Sequence, residues 1–169
     1  TVKGGTMKME TSLNGTSKDS KFLEIYDMYV NDIYRLCYSF MKNHMDAEDA
    51  VQDTFLKLYR LDKKFETASH IKAWLIVTAS NCCKDMLKHW WRRRKNLEDF
   101  TEYIENTESQ TDEIMTLIMM LPDKYKTTVY LYYYEGYNSK EISELLKRPE
   151  STIRTHLQKA RHLLKKELE

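Results

Sequence analysis

Apolar residues recur every three or four positions along most of the chain, which is the spacing of one face of an α-helix. The first such stripe runs through residues 21–41. The pattern predicts a second helix from about Asp46 to about Leu61, with Asp46 as its N-cap because a short acidic side chain can accept a backbone N–H there. A third helix is predicted from about His70, after a polar loop.

The second half of the chain carries a denser set of helix signals. Short apolar stripes predict helices at about 113–121 and 125–133, and Gly136 is a suitable C-cap for the second of them. Asn138, with a Glu three residues later, predicts a capping box for the next helix, and Pro149 stands where a last helix begins. Four positions of that last helix are assigned to the core, namely Ile153, Leu157, Ala160 and Leu164.

Composition strengthens the helical prediction. The 169 residues include only four Gly and two Pro, and helix-forming residues dominate, so we expect an all-α fold. We predict two small helical domains joined by an acidic linker, the C-terminal one a helix-turn-helix. The expected organisation is a disordered leader at 1–19, a helical domain at 20–95, a linker at 96–112 and a second helical domain at 113–169.

The net charge of only +1 hides an uneven distribution of charged residues. Residues 96–123 contain eight acidic and no basic residues, whereas the segments on either side carry a basic excess. Local blocks of one sign indicate partners better than the total does, because a basic block attracts nucleic acid wherever the rest of the charge lies. The two basic blocks are therefore where nucleic-acid contacts are expected.

Cysteine usage and hydropathy indicate the compartment. Cys37, Cys82 and Cys83 are an odd number, and neighbours on a helix point about 100° apart, so we predict free thiols rather than a chelating pair. Free thiols are typical of a reducing compartment. No apolar run approaches the ~20 residues of a membrane span, and no signal-peptide pattern opens the sequence. We therefore expect a cytoplasmic protein without stable membrane association.

The last two predicted helices have the pattern of a helix-turn-helix with a turn at 147–149. Between Arg154 and Lys166 there are five basic residues and no acidic one, and burial of the apolar stripe turns the polar side chains toward solvent. Arg and Gln can bond guanine and adenine edges, while Lys mainly attracts phosphate. The alternative is a solvated basic face on an ordinary amphipathic helix, but the complete two-helix pattern favours DNA recognition.

Three blocks together resemble the extracytoplasmic-function type of RNA polymerase sigma factor, over roughly residues 22–168. They are DAEDAVQDTFLKLYR at 46–60, HIKAWLIVTASNCCKDMLKHWWRRR at 70–94 and the helix-turn-helix segment at 121–168. Each block alone is moderately specific, and their shared order and spacing make the resemblance strong. It implies the second and fourth sigma regions joined by a linker, with the first and third regions absent.

The resemblance implies that the first block docks on the clamp helices of the largest subunit of core RNA polymerase. A mixed acidic and apolar helix face can pair with a basic coiled coil, with Phe55 as a buried anchor. The alternatives are a solvated acidic face or a metal site, but no His lies at ligand spacing and no calcium-type glycine turn is present. The residues carried over are Asp46, Glu48, Asp49, Gln52, Asp53, Phe55 and Leu58.

The second block, by resemblance, opens and holds the −10 promoter element, with the loop at 62–69 receiving a flipped base. Unpaired bases stack on aromatic rings and expose their edges to polar side chains. Trp74 has a place in the core as its alternative, Asn81 fits either role, and the roles of Trp90 and Trp91 stay open. The implied DNA contacts are His70, Lys72, Trp74, Asn81, Lys84, Asp85, Lys88 and Arg92.

The third block, by resemblance, reads the −35 element as duplex DNA. Its turn departs from the family pattern, since Lys147 and Pro149 stand where Gly and Ser are frequent, and His156 stands where Arg is frequent. Pro149 cannot cap with its side chain, although it is tolerated at a helix start. The implied contacts are Ser151, Thr152, Arg154, Thr155, His156, Gln158, Lys159 and Arg161.

These features predict a non-catalytic alternative sigma factor that directs promoter-specific transcription initiation. The implied partners are promoter DNA, an anti-sigma factor and core polymerase, the last through its clamp helices and the flap of its second-largest subunit; no cofactor or metal is expected. One rival is a stand-alone helix-turn-helix regulator, which leaves the first two blocks unexplained. The other is an enzyme, but no Ser-His-Asp set, glycine-rich phosphate loop or metal-ligand spacing supports one.

Overall fold

The computed structural model describes residues 18–94 and 113–168, with the side chains of 18–90 and 113–166. Over those ranges the chain forms seven helices and no strand, which confirms the predicted all-α fold. The predicted linker lies outside the described residues, as does the predicted leader up to residue 17. The helices are α1 (Lys18–Met41), α2 (His44–Arg60), α3 (Ala68–Arg94), α4 (Glu113–Met120), α5 (Asp123–Tyr133), α6 (Ser139–Leu146) and α7 (Glu150–Leu168).

The first three helices pack on one another in pairs and enclose the larger part of the core. Their most deeply buried large side chains are Ile33, Leu36, Leu75 and Ile76, which are fully shielded from solvent. Ile33, Leu36 and Leu75 lie on the stripes that the helical period predicted, whereas Ile76 was not among the predicted positions. The group formed by α1, α2 and α3 is called the N-terminal bundle below.

The remaining four helices form a second group, called the C-terminal bundle below. The long helix α7 packs against α5 and α6, and α4 packs against α5. Ile118, Leu131, Ile142 and Ile153 come from the four different helices and are fully buried. The arrangement of α6, a short turn and α7 is the predicted helix-turn-helix.

The two bundles also pack against each other. Helix α1 contacts α4 and α5, and α3 contacts α5 and α6, so that the buried apolar residues form one continuous cluster through both bundles. The sequence predicted two domains but no contact between them. The contact places one end of α3 beside the helix-turn-helix.

The start of α2 differs from the prediction. Asn43, not Asp46, is the N-cap: it has extended backbone angles, and its side-chain oxygen accepts the backbone N–H of Asp46 at 2.9 Å. The Asn43 amide in turn donates to the Asp46 carboxylate. Asp46 is therefore the third residue of the helix, where its charge suits the positive end of the helix dipole. The prediction of Asp46 as N-cap was wrong because both residues offer capping chemistry three positions apart.

Other helix ends are close to the predicted positions. Helix α3 begins two residues early, and the Thr67 hydroxyl accepts the N–H of His70 at 3.2 Å. The C-cap of α5 is Tyr134 rather than Gly136, whose φ of +71° lets the chain turn just beyond it. The capping box of Asn138 is confirmed. Helix α7 begins at Glu150, directly after Pro149, which confirms the predicted helix start, and the Pro149 carbonyl accepts the N–H groups of Thr152 and Ile153.

The three cysteines are buried free thiols. A hydrogen bond with Cys83 and burial raise the pKa of Cys37 well above its ordinary value, so its thiol stays protonated and unreactive. Among the described helices, none is both long and apolar enough to cross a bilayer. No cluster of His, Cys, Asp and Glu within 18–90 and 113–166 has the arrangement of a metal site.

Candidate nucleic-acid interface

Local hydrogen bonds stabilise both ends of α6, the first helix of the helix-turn-helix. The Asn138 side chain accepts the N–H of Glu141 at 2.9 Å, and the Glu141 carboxylate accepts the N–H of Asn138 at 2.8 Å. After α6, Lys147 adopts a left-handed conformation with φ of +52°, and the next N–H, of Arg148, bonds back to the Ser143 carbonyl. A non-glycine residue in this region costs about 1 kcal/mol. The turn is therefore held by its hydrogen bonds and not by intrinsic preference.

Helix α7 presents the predicted −35 residues on its solvent side. Ile153, Leu157 and Ala160 are buried against α5 and α6, as predicted, while Leu164 is only partly buried. Thr152 and His156 are half-buried at the edge of the exposed face. The fully exposed members of the predicted set are Ser151, Arg154, Thr155, Gln158, Lys159 and Arg161.

A surface depression of about 240 Å³ lies beside the first turns of α7. Lys159 borders it from α7, and Lys124 and Tyr125 border it from the start of α5. Hydroxyl groups and ammonium groups are the donors that phosphate oxygens accept from. Sequence reasoning missed Lys124, whose only sequence signal is a basic residue directly after Asp123, the acidic first residue of α5. The α7 residues that line the depression are Ser151, Thr152, Thr155, His156 and Lys159.

His156 sits at the wall of this depression with an unused polar atom. Its ring packs edge-on against Tyr125, with 5.1 Å between centroids, and its Nδ1 is buried without a hydrogen-bond partner. Burial lowers the pKa of His156 below its ordinary 6.5, and the neighbouring cations Arg148, Lys124 and Lys159 lower it further. His156 is therefore held neutral at pH 7 in the absence of an anion.

Arg154 and Arg161, two of the residues predicted to contact the −35 DNA, also contact other side chains of the protein. Arg154 forms an exposed ion pair with Glu150 at 2.7 Å, and Glu150 also accepts a hydrogen bond from Ser139 at 2.8 Å. Arg161 donates through Nε to the Tyr133 hydroxyl at 2.9 Å, and its guanidinium lies 5.6 Å from the centre of the Tyr132 ring. These contacts orient both guanidinium groups without burying them.

Most of the predicted −10 residues form one stripe along α3. His70, Trp74, Asn81, Asp85 and Lys88 fall within about 60° of one another at 100° per residue. All are exposed except Trp74, which is half-buried. Lys84 lies at the edge of the stripe and is half-buried, and the side chain of Arg92 is outside the described residues.

The loop before α3 is pinned to this stripe by an aromatic contact. Phe65 packs edge-on against Trp74 with 6.0 Å between ring centroids, and Lys63 lies 5.8 Å above the Phe65 ring. Trp74 therefore belongs partly to the core and partly to the surface, between the two alternatives that the sequence left open. Trp90 is half-buried.

Lys72 stands apart from the other −10 candidates, because it projects from roughly the opposite side of α3. Its Nζ lies 3.1 Å from the Asp32 carboxylate of α1 and 3.1 Å from the Glu135 carboxylate at the end of α5. Burial acts to lower the pKa of Lys72, but the hydrogen bonds and charges of Glu135 and Asp32 outweigh it and leave that pKa raised. Lys72 thus links the two bundles and does not join the stripe.

The predicted polymerase-docking residues divide between surface and core. Phe55 and Leu58 are buried, and Phe55 packs edge-on against Tyr26 at 4.8 Å. Asp46 is half-buried, and the exposed members are Glu48, Asp49, Gln52 and Asp53.

Two apolar residues that the sequence pattern passed over lie on the exposed face of α2. Met45 is 75% exposed and Leu56 is 48% exposed. With Asp49 and Gln52 they follow the spacing of four, three and four residues that lines up one helical stripe. This acidic and apolar stripe of Met45, Asp49, Gln52 and Leu56 is called the α2 face below.

Comparison with known proteins identifies both halves of the chain. Residues 25–95 match the Sigma-70 region 2 family, and residues 111–164 match the Sigma-70 region 4 family. The ECF RNA polymerase sigma factor SigM of Bacillus subtilis is 32% identical over 150 residues, covering 84% of this chain and 91% of its own. The ECF sigma factor SigW of the same organism is 29% identical, covering 87% and 88%.

Two solved structures share the fold. The sigma factor RpoE of Bartonella quintana, determined in complex with the anti-sigma factor NepR, superposes with a TM-score of 0.72 at 21% identity, covering 88% of this chain and 96% of that one. CnrH, in complex with the cytosolic domain of CnrY, gives a TM-score of 0.60 at 16% identity, covering 90% of each chain.

Proposed function

Because the chain belongs to the ECF sigma factors of RNA polymerase, we propose that its two bundles divide the reading of a promoter between them. As a member of this family it is an alternative sigma factor, which binds core polymerase and directs transcription initiation at specific promoters. The exposed polar face of α7, set on a buried apolar stripe, is the observation that carries the residue-level proposal. On this reading the chain is a dissociable cytoplasmic specificity subunit and catalyses no reaction of its own.

Helix α7 is proposed to read the −35 element in the major groove. Arg154 and Gln158 are exposed and can make bidentate bonds to guanine and adenine. Lys124 and Lys159 flank the depression beside the helix start, where a DNA backbone phosphate would accept their hydrogen bonds. A phosphate bound there would also raise the pKa of His156, because a nearby anion favours the protonated ring.

The α3 stripe is proposed to hold the melted −10 element. It combines a half-buried aromatic ring, Trp74, with the exposed polar side chains of His70 and Asn81, which suit stacking and hydrogen bonding to unpaired bases. Lys84 and Lys88 supply the positive charge for the backbone. The α2 face is proposed as the docking site for the clamp helices, with Met45 and Leu56 in the anchoring role that the sequence assigned to Phe55.

The C-terminal bundle is proposed to contact the flap of the second-largest polymerase subunit, and an anti-sigma factor is proposed as the regulator. The two structural relatives were solved bound to the anti-sigma factor NepR and to the cytosolic domain of CnrY, and both match nearly the whole of this chain in fold. A binder that contacts both bundles could hold them together. Co-purification of the chain with a protein that blocks its transcription would test this assignment.

Transcription in vitro with purified core polymerase tests the proposal. Templates selected from a random promoter library should give discrete starts only when the chain is present. Arg154→Ala should lower transcription about tenfold, since one base contact is worth about 1–3 kcal/mol. Lys165→Ala is the matched control, because Lys165 is exposed on the same helix outside the predicted set, and it should leave the promoter preference unchanged.

Tight sequence-specific binding by the free chain without any polymerase-dependent start would instead support a stand-alone regulator. Equal losses in the Arg154→Ala and Lys165→Ala variants would contradict base reading by α7 and leave only general attraction to phosphate.

A further inference from the structure

A hydrogen-bonded group of three side chains joins the starts of the two helices of the helix-turn-helix. Glu150 is the first residue of α7, and Ser139 is the first residue of α6. The Oε1 atom of Glu150 accepts a hydrogen bond from the Ser139 hydroxyl at 2.8 Å and another from Nη2 of Arg154 at 2.7 Å. A single carboxylate oxygen therefore connects α6 with the guanidinium group that is proposed to read the −35 element.

This carboxylate keeps its charge because of its two partners. The hydrogen bond from Ser139, and then the one from Arg154, lower the pKa of Glu150 below its ordinary value, so the group is ionised at neutral pH. The Arg154 side chain is 71% exposed, and an ion pair with this exposure adds little to folding stability. The main effect of the pair is therefore on where the Arg154 side chain lies.

The anchoring of Glu150 limits the positions that the guanidinium group can take. An arginine side chain has several rotatable bonds, and fixing them against a base costs conformational entropy. Because Ser139 holds the carboxylate against α6, part of that ordering is already present in the free chain. The bond to Glu150 uses one of the five N–H donors of Arg154 and leaves the others for a base edge. Guanine, which accepts two such donors through O6 and N7, is the base that this geometry favours.

The negative charge of Glu150 also opposes contact with the DNA backbone. An unrestrained arginine at a DNA surface can pair with any phosphate, and such contacts carry no sequence information. A carboxylate 2.7 Å from the Arg154 guanidinium offsets part of its attraction to phosphate and repels the phosphate directly. Glu150 therefore weakens binding to every DNA sequence while it orients Arg154 for one base. Both effects widen the difference in affinity between a promoter and other DNA.

We propose that Glu150, held by Ser139, is a positioning residue that directs Arg154 to one base pair of the −35 element and keeps it from phosphate. Neither Glu150 nor Ser139 belongs to the set of DNA contacts that the sequence predicted. The inference rests on the proposed function, because it requires that Arg154 reads a base. It adds the residue that makes this base contact selective.

The Glu150→Gln variant removes the charge and keeps the length of the side chain. Glu144→Gln is the matched control, an identical change at an exposed position of α6. Ser139→Ala leaves the charge of Glu150 in place and removes only its anchor, in a helix where Ala is well tolerated. Arg154→Ala identifies the base pair that Arg154 reads, as the position of the −35 element at which the base preference is lost.

Transcription by the holoenzyme from templates with every single-base change in a selected −35 element measures selectivity. The parent should prefer one base about tenfold at the position that Arg154 reads. Glu150→Gln should reduce this preference to about threefold because the guanidinium must then be ordered on binding, Ser139→Ala should act in the same direction, and Glu144→Gln should change nothing.

Glu150→Gln combined with Arg154→Ala should lose no more preference than Arg154→Ala alone, because the first residue acts through the second. An unchanged preference in both Glu150→Gln and Ser139→Ala would overturn the positioning role. An equal loss at every position of the −35 element would also overturn it, since that pattern indicates a general disturbance of α7.

The salt dependence of binding to duplex DNA without a promoter tests whether Glu150 keeps Arg154 from phosphate. Release of Arg154 adds one backbone contact, so the fall of log K with log salt concentration should be steeper by about 0.9 for Glu150→Gln than for Glu144→Gln. Equal slopes for these two variants would overturn this part. A parent holoenzyme without any promoter-dependent start would instead count against the proposed function, and the salt slopes of the full chain would still decide whether Glu150 restrains Arg154.

Discussion

At the scale of single residues, burial shows which apolar side chain of α2 is available to a partner. Phe55 and Leu56 are adjacent on α2, yet Phe55 is 2% exposed and Leu56 is 48% exposed. The resemblance assigned the anchoring role to Phe55, and the sequence pattern passed over Leu56. The structure shows that Phe55 packs against the rings of Phe22 and Tyr26.

Replacement of Phe55 by Ala should therefore reduce folding stability, whereas replacement of Leu56 by Ala should reduce binding to core polymerase. Phe55→Ala should lower the free energy of unfolding by about 3–5 kcal/mol, because it leaves a cavity in the core. Leu56→Ala should change it by no more than about 0.5 kcal/mol but weaken binding to core polymerase by roughly tenfold. Urea denaturation and a polymerase pull-down measure the two effects. A Leu56→Ala chain that binds polymerase normally would remove Leu56 from the α2 face.

His156 gives a pH dependence whose sign follows from its lowered pKa. The unfolded chain binds a proton to this histidine more readily than the folded chain does, so the stabilisation is present above the ordinary pKa of about 6.5 and is lost as the pH falls through the folded value. The parent chain should lose more stability between pH 8 and pH 5 than His156→Gln does. His162→Gln, at an exposed position of the same helix, should follow the parent curve.

At the scale of helices, the predictable features are those with a local signal. The capping box of Asn138 and the amphipathic stripe of α7 need only residues within one or two turns, and both were predicted. The N-cap of α2 was predicted wrongly, because the side chains of Asn43 and Asp46 are both good N-caps. Which of them caps the helix depends on how the chain leaves α1. Lys42, with φ of +59°, makes that exit and places Asn43 in extended conformation.

Removal of the Asn138 cap of α6 should lower the stability of the protein by a measurable amount. Asn138→Ala removes the bond to the Glu141 N–H and should lower the free energy of unfolding by about 1 kcal/mol. Asn31→Ala, at an exposed position inside α1, should be neutral or slightly stabilising because Ala favours the helix interior. Thermal unfolding followed by circular dichroism compares the two, and equal midpoints would show that the cap is dispensable.

At the scale of the whole molecule, the contact between bundles carried no sequence signal. Lys126 of α5 donates to the Ser39 carbonyl of α1 at 2.6 Å, although the two residues are 87 positions apart and neither belongs to a motif. Composition and periodicity therefore predicted two domains and nothing of their packing. The same long-range packing positions Lys72, which was assigned to DNA from its place in a matched block and whose ammonium pairs with Asp32 and Glu135 in this structure. The stripe along α3, which a single helix determines, was predictable apart from that residue.

Because the two bundles pack together, destabilising one of them should also affect the unfolding of the other. All three tryptophans, Trp74, Trp90 and Trp91, precede residue 95, so their fluorescence follows the N-terminal bundle while circular dichroism follows both. Ile153→Ala empties a fully buried site in the C-terminal bundle and should cost about 2–5 kcal/mol. It should shift both signals together, because the two bundles share one continuous apolar cluster. Separate transitions would show that the bundles unfold independently.

The bond from Lys126 to Ser39 also limits how freely sigma factors can be recombined. Helix α1 has no basic residue in its last turn, and the cation bonded to the carbonyl of Ser39 in that turn comes from the other bundle. A hybrid that joins this N-terminal bundle to the promoter-reading half of a relative would keep that bond only if the donor carries a basic residue at the matching position. Builders of promoter-specificity hybrids should therefore choose donors by residue 126 as well as by the DNA-facing side chains.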